Sequence, residues 1–133
     1  MEKIIPIKDA LLGTLLGRDC IYLDAFSQDE FANLTFKGEI NSSLSENPQE
    51  GKWVPYTLKF SGAAAYYVCD IDTYYNMERC AEENSFSIVE KSKWLSRLTL
   101  QDCDKANYRH YRLFTYDFVY NIIAKDYEMK LNT

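Results

Sequence analysis

The chain has 133 residues, of which 47% are hydrophobic, 15% aromatic and 26% charged, and its formal net charge is −5. This length predicts one domain over residues 1–133, large enough to fold without disulfide or metal staples. The acidic balance argues against non-specific binding to nucleic acid, which requires a basic surface. Eleven tyrosines and seven phenylalanines favour β-sheet over helix.

Charge is distributed unevenly along the chain. Residues 1–90 carry 7 Lys/Arg against 15 Asp/Glu, a net −8, whereas residues 91–133 carry 8 against 5, a net +3. An acidic surface rich in tyrosine suits a basic protein partner, through electrostatic steering and aromatic anchors. A soluble acidic protein without such a partner is the simpler interpretation of the same charges.

Four cysteines stand at positions 20, 69, 80 and 103, none of them in a C-x-x-C pair. The start of the chain lacks the features of a secretory signal, and no window of about 18 residues is apolar enough to span a membrane. We therefore expect a cytoplasmic protein with reduced thiols, no membrane contact, no metal site and no cofactor. Cys20 and Cys69 lie in apolar runs and should be buried, whereas Cys80 and Cys103 have polar neighbours and should be exposed.

In chain order, the first predicted element is a short helix over residues 7–16. Its apolar residues recur at helical spacing, and Gly17 is placed to end it. Strands follow at residues 20–26 and 31–40, where apolar and polar residues alternate. The polar run at residues 41–51 then predicts a mobile loop.

Strand character resumes over residues 52–76, with a bend or bulge at Ser61 and Gly62. A strand or turn is predicted at residues 85–90, and a short helix capped by Ser92 at residues 92–98.

The end of the chain alternates up to Tyr116, bends at Asp117, and alternates again over residues 126–131. Residues 118–125 fit either a strand or a helix, and their β-branched content favours the strand. In total the pattern predicts an α+β fold that is mainly β. We expect an antiparallel curled sheet, barrel- or sandwich-like, of about six or seven strands with two short helices.

His110 is the natural candidate for a catalytic residue, because histidine alone titrates near neutral pH without help from its surroundings. It lies in the alternating run that precedes Asp117. A catalytic base also needs a nucleophile and an orienting group close by, and the sequence places neither. A strand histidine with ordinary hydrogen bonds is therefore the favoured interpretation.

Asp70 and Asp72 are two residues apart, so a strand would place both carboxylates on one face. Such a pair can bind a divalent cation or share a proton. The D-x-D pattern is short, however, and no second acidic cluster completes a metal site. The polar end of a strand is the favoured interpretation.

Two tyrosine doublets, Tyr66-Tyr67 and Tyr74-Tyr75, would place neighbouring rings on opposite faces of a strand. At least one ring of each pair should then face solvent or a pocket, where tyrosines commonly anchor protein interfaces. Tyrosines that merely cover the edge of a sheet are equally compatible. The candidate ligand- or partner-binding residues are thus Tyr66, Tyr74, Tyr75, Asp70, Asp72 and His110, with no catalytic residue assigned.

The second half of the chain carries a recognisable pattern. The run SFSIVEKSKWL, followed by HYRLFTYDFVYNIIAKDYEMKL, resembles a family of small, mostly uncharacterised bacterial proteins. In that family Ser-x-Phe and Ser-x-Trp segments precede a His-Tyr strand, a Thr-Tyr-Asp turn and a terminal Asp-Tyr-Glu strand. The resemblance covers about residues 53–131 and includes the upstream WVPYTLKFSG.

Members of this family are associated with bacterial accessory genes, including the neighbourhoods of toxins and their immunity proteins. The resemblance implies no catalytic residue. This chain has Phe118 after Asp117 where the commoner form has a double-aspartate turn.

Two functions follow as hypotheses. The first is a non-enzymatic, immunity-like protein that binds a basic, toxin-like partner. The second is a small-ligand-binding domain, or an enzyme with few motifs, that uses a tyrosine-lined pocket. A homodimer joined through strand edges is compatible with either.

Overall fold

Most of the chain forms strands, because apolar and polar residues alternate along it. The computed structural model describes residues 1–78, 84–100 and 104–132, with the backbone alone for residues 75–78. In chain order the elements are β1 (Lys3–Pro6), β2 (Lys8–Asp9), β3 (Gly13–Thr14), β4 (Ile21–Gln28), β5 (Leu34–Asn41), β6 (Trp53–Ser61), β7 (Ala65–Asp70), α1 (Ile71–Glu78), β8 (Phe86–Glu90), α2 (Lys93–Arg97), β9 (Arg109–Phe114), β10 (Phe118–Ala124) and β11 (Asp126–Leu131).

The strands form two antiparallel sheets and one small hairpin. The five-stranded sheet has the order β1-β8-β9-β10-β7, and the four-stranded sheet has the order β11-β6-β5-β4. Strands β2 and β3 pair with each other alone. The prediction of a mainly β, antiparallel α+β fold with two short helices is therefore confirmed.

The strand count and the closure of the sheet were less well predicted. Eleven strands occur among the described residues, against the expected six or seven, and three of the extra segments are the short β1, β2 and β3. The sheets do not close into a barrel. Buried residues of both sheets share one core, so the sheets pack face to face in a sandwich-like arrangement.

A bent ribbon joins the two sheets. Strand β6 pairs with β11 in one sheet, and strand β7 pairs with β10 in the other. Because β7 follows β6 directly and β11 follows β10 directly, both segments cross from one sheet to the other at the same corner. At the corner the N–H of Lys125 donates to the Ser61 carbonyl at 3.0 Å. Gly62 makes the bend with φ +64°, and a Cβ there would lie 2.9 Å from Cγ of Lys125. The bend predicted at Ser61 and Gly62 is confirmed.

The core between the sheets is aromatic. Phe60 lies 5.1 Å from Tyr111, and Phe36 lies 5.0 Å from Tyr120, measured between ring centroids. These contacts join the two sheets, and such ring pairs contribute about 0.5–1.5 kcal/mol beyond the area they bury.

The N-terminal helix predicted over residues 7–16 is wrong. Those residues form the β2–β3 hairpin, whose turn is held by the Asp9 carboxylate accepting the N–H groups of Leu11 and Leu12, both at 2.9 Å. Gly13 follows with φ +72°, a conformation no helix contains. The side chain of Asp9 thus competes successfully with helical hydrogen bonding.

Strand character was expected over residues 52–76, with Asp70 and Asp72 at the polar end of a strand, and β7 ends at Asp70 itself. One carboxylate oxygen of Asp70 accepts the N–H of Asp72 at 2.9 Å and that of Thr73 at 3.4 Å, which caps α1. Asp72 and Tyr74 are therefore helical, and neither the two-aspartate strand face nor the Tyr74-Tyr75 strand doublet exists.

The later predictions fare better. The strand at 85–90 and the helix at 92–98 correspond to β8 and α2, and Ser92 caps that helix. Residues 118–125 are a strand, as preferred, and β11 alternates between half-buried and exposed residues. Residues 41–51 include a 3-10 turn, Ser42–Leu44, within an otherwise irregular segment.

Candidate functional site

The residues singled out from the sequence do not converge on one pocket. Tyr66 lies on the edge strand β7, where its side chain is 36% exposed and its hydroxyl donates to Oε1 of Gln28 at 3.0 Å. Asp70 caps α1, and the exposed Asp72 lies 3.5 Å from a guanidinium nitrogen of Arg18.

Two further candidates, Tyr74 and His110, lie at the outer face of the five-stranded sheet. Tyr74 is buried, with its ring 5.8 Å from that of Phe114 and beneath the guanidinium of Arg112. His110 is buried nearby. The side chain of Tyr75 lies outside the described residues.

The cysteines give a mixed result. Cys20 is buried, as predicted, and burial raises the pKa of its thiol. Cys69 is only half-buried, on the outer face of β7 beside α1. Cys80 and Cys103 lie outside the described residues.

His110 is the centre of a buried hydrogen-bonded chain. Its Nδ1 lies 2.7 Å from Oγ of Ser92, and its Nε2 lies 2.7 Å from Oδ1 of Asn121. The same amide oxygen accepts Nε–H of Arg112 at 3.1 Å. Because an amide oxygen only accepts, we assign the imidazole proton to Nε2, and Nδ1 then accepts the hydroxyl proton of Ser92.

The surroundings hold this imidazole neutral. Burial lowers the pKa of His110 from 6.5 to about 4; the Arg112 guanidinium also lowers it, against the raising effects of the Asn121 bond and the Glu2 carboxylate. A histidine with so low a pKa is a weak base at neutral pH. The hydroxyl of Ser92 is also engaged, because it accepts the N–H of Leu95 at 3.1 Å. The geometry thus fits a histidine that fastens α2 to the sheet.

An open cleft of about 660 Å³ lies beside the hydrogen bond between Ser92 and His110. Strands β8 and β9, the start of α2 and the turn at residues 105–107 form its walls. Ser92 and His110 contribute polar atoms to the wall, and Tyr108 is its only tyrosine among the described residues. The cleft therefore has the size that a small-ligand-binding function would require, but several tyrosines do not line it among the described residues.

A second exposed feature occupies the opposite edge of the five-stranded sheet. Strands β4 and β7 are the outer strands of their sheets, and no backbone pairing joins them within the described ranges. Side chains bridge them instead: the ring of Phe26 on β4 lies 5.5 Å from that of Tyr66 on β7. We call this region the acidic edge, and it comprises Asp19, Tyr22, Asp24, Phe26, Trp53, Tyr66, Val68, Asp70, Asp72, Tyr116, Asp117 and Phe118.

Three rings of the acidic edge contact one another in a row, which we call the stack. Tyr22 lies parallel to Tyr116 with centroids 5.1 Å apart, and it meets Trp53 edge-on at 5.2 Å. Trp53 and Tyr116 are 44% and 43% exposed. Arg18 lies 5.6 Å above the Tyr116 ring and donates to the carbonyl oxygen of the same residue at 2.9 Å. The rings are therefore held in place while part of each remains open to solvent.

Carboxylates act on Tyr22 in this stack, while the two outer rings each contact a cation, Arg18 over Tyr116 and Lys52 at 5.3 Å from the centroid of Trp53. Partial desolvation raises the pKa of Tyr22, and the negative charges of Asp19 and Asp117 raise it further. Asp24 lies at the point where the β4–β5 register shifts, and it has the same effect on Tyr56. All five aspartates of the acidic edge are exposed.

Sequence reasoning missed most of these residues. Tyr22, Trp53 and Tyr116 belong to three segments that are distant in sequence, so no local pattern joins them. The signal present was weaker: each ring stands at the end of a strand, next to a polar turn or loop. For the cleft, the signal was the positive charge of residues 91–133, which supply most of its cations.

The described residues contain neither a cluster of metal-binding side chains nor a helix that could span a membrane. Residues 1–78, 84–100 and 104–132 bring together no group of three or more His, Cys, Asp or Glu side chains suited to a metal ion. Over the same ranges, no helix is both long and apolar enough to cross a membrane.

Comparison with known proteins adds no relative. No protein-family model, no curated protein and no solved structure matches this chain.

Proposed function

We propose that the chain is a non-enzymatic, immunity-like protein that binds a basic, toxin-like protein through its acidic edge. The observation that carries the proposal is the presence of partly exposed rings, in contact with one another, among five exposed aspartates. Tyrosine and tryptophan dominate the strongest contacts of protein interfaces, and charge complementarity accelerates association.

The rings are ordered before any partner arrives. Tyr22 is held between Tyr116 and Trp53, and the N–H of Tyr116 donates to the Ile21 carbonyl at 3.0 Å. Each rotamer-rich side chain that is immobilised on binding costs about 0.5–1.5 kcal/mol. Rings that are already stacked avoid much of this cost, which suits them to anchor a partner.

The negative charges of the acidic edge favour a positively charged partner. The acidic edge contains five aspartates, and the only cation contacting it through an ion pair in the described part of the chain is Arg18, bound to Asp72. Two copies of this surface would place aspartates against aspartates. A basic partner is therefore favoured over a homodimer through the same face.

The proposed setting is the cytoplasm, as expected from the sequence. The resemblance of the C-terminal half to a family associated with toxin neighbourhoods is the reason for proposing a toxin as the basic partner.

The test is co-expression with the basic open reading frame next to this gene, followed by measurement of the Kd of the purified complex. We expect a one-to-one complex whose affinity falls as salt rises. Asp19→Asn with Asp117→Asn should weaken binding by about tenfold, or about 1.4 kcal/mol. Tyr116→Ala should weaken it by at least as much, because a partly exposed aromatic anchor is lost.

The matched control is Glu30→Gln with Glu128→Gln. It changes the net charge by the same amount at exposed positions outside the acidic edge. Equal effects of the two double variants would attribute binding to net charge and contradict a site at the acidic edge. A gene with no basic neighbour, whose product copurifies with no partner, would count against the function itself. Light scattering on the purified protein would show a homodimer directly.

A further inference from the structure

We infer that the cleft beside His110 is a binding site for a small organic anion with an apolar body. The cleft is independent of the proposed partner surface. It opens at β8 and β9, next to the edge strand β1, whereas the acidic edge includes β7 at the other side of the same sheet. The inference therefore goes beyond the proposed function and does not rest on it.

The size and walls of the cleft suit an organic molecule. Its volume of about 660 Å³ lies within the ~300–1,000 Å³ typical of small-ligand sites. The apolar part of the wall consists of Ile5, Ile88, Val89 and Leu95, and Val89 is almost fully buried. Binding of an apolar body here is favourable because it removes apolar surface of both ligand and cleft from water.

The charges around the cleft are opposite in sign to those of the whole protein. Among the described residues, Lys91, Lys105 and Arg109 line it, against the carboxylate of Glu90, and the Glu2 carboxylate acts on the nearby imidazole. The chain as a whole carries −5. The described cations of the cleft thus outnumber the carboxylates on an otherwise acidic protein, and they favour a negatively charged ligand.

These cations are positioned by the fold. Lys91 has φ +56°, a backbone conformation that is rare for residues other than glycine, and it follows directly after β8. Nζ of Lys105 donates to the Ser96 carbonyl at 2.6 Å, which places its charge over the wall formed by α2. Lys91, Lys105 and Arg109 are all exposed and so remain accessible to a ligand.

Ser92 and His110, which form the polar floor of the cleft, do not repel an anion. Ser92 and His110 satisfy each other through their 2.7 Å hydrogen bond, and both are more than nine-tenths buried. The imidazole is held without charge, so the floor supplies neither a competing anion nor an unpaired acceptor. Specificity must then come from the cations at the rim and the apolar wall.

The test uses the full chain and the fluorescent anion 8-anilinonaphthalene-1-sulfonate, followed by competition with three compounds of equal chain length. We expect saturable binding of the probe to one site. Octanoate should displace it, whereas octan-1-ol should do so weakly and octylamine not at all, since only octanoate satisfies both the apolar wall and the cations.

Two variants should shift the Kd for the probe in opposite directions, and a third should weaken binding through the apolar wall. Lys105→Gln should raise the Kd by about tenfold, and Glu90→Gln should lower it by about threefold, because the first removes attraction and the second removes repulsion. Leu95→Asp should raise the Kd by about tenfold or more, because it places a carboxylate on the apolar wall. Lys37→Gln is the matched control, an exposed cation on the four-stranded sheet, and it should change nothing.

Non-saturable fluorescence, or competition by octylamine as strong as that by octanoate, would overturn the proposal. Unchanged affinity in both Lys105→Gln and Glu90→Gln would do the same. Far-UV circular dichroism and melting curves verify that each variant is folded. Asp19→Asn with Asp117→Asn should leave probe binding unchanged, which separates failure of this site from failure of the acidic edge.

Discussion

Replacement of His110 by glutamine should change the pH dependence of stability more than stability itself. The imidazole lies in a buried chain between Ser92 and Asn121. Glutamine keeps an N–H donor for Asn121 but does not titrate. We therefore expect His110→Gln to cost about 1–2 kcal/mol at pH 7, from imperfect hydrogen bonds.

The larger effect comes from protonation of the wild type. Burial lowers the pKa of His110 from 6.5 to about 4 in the folded protein. Between these values the unfolded chain binds the proton and the folded one does not, so stability is full above about pH 6.5 and falls as the pH falls toward 4. At pH 5 the loss should be about 2 kcal/mol, since each pKa unit corresponds to about 1.4 kcal/mol.

The assay is urea unfolding of both proteins at several pH values from 7 to 5. The wild type's advantage of about 1–2 kcal/mol at pH 7 should fall by about 2 kcal/mol over this range, so that at pH 5 the variant is as stable as the wild type or more stable. Carboxyl groups whose pKa is lowered in the folded state, such as Asp29 and Glu46, are common to both proteins and cancel in the difference. A difference that stays constant from pH 7 to pH 5 would refute the neutral, buried histidine.

Three further predictions are checked by the same unfolding measurement. Gly38→Ala should cost about 3 kcal/mol because its Cβ would clash with the carbonyl oxygen of Tyr22, whereas Gly51→Ala, with nothing within 4 Å, should be close to neutral. An equal effect at both glycines would contradict this reasoning. Ser92→Ala should lower the free energy of unfolding by about 2 kcal/mol, since it removes both the cap of α2 and the hydrogen-bond partner of His110. Ser92→Thr keeps the hydroxyl and should retain most of the wild-type stability. Ser87→Ala should stabilise by about 1 kcal/mol, because the buried hydroxyl has no hydrogen-bond partner among the described residues, and a measured loss would show that the hydroxyl is satisfied.

The strands that could be predicted are those with a clear period of two. Strands β5 and β6 alternate between buried and less buried residues along nearly their whole length, and their pairing follows from that alternation. The failures occurred where one polar side chain takes over the backbone hydrogen bonds. Asp9 turns the predicted helix into a hairpin, and Asp70 converts the predicted strand into α1. Hydropathy alone does not report such local competition.

The candidate sites were less predictable, since both depend on contacts between distant segments. His110 was rightly read as a rung of a strand, but its partners lie 18 and 11 residues away, at Ser92 and Asn121. The stack of Tyr22, Trp53 and Tyr116 forms only after the four-stranded sheet meets the turn that follows β9. Neither set of partners has a signature in the order of residues.

The sequence by itself determined the mainly β character, the alternation of the strands, the cap of α2 and the acidic balance, because each depends on the residue types within a few positions. Only the tertiary structure decided which strands are the edges of their sheets, and hence where exposed rings meet aspartates. It alone also placed Lys91, Lys105 and Arg109 around one cleft. The physical reason is that both surfaces are made by the packing of two sheets, and packing joins residues that the chain keeps apart.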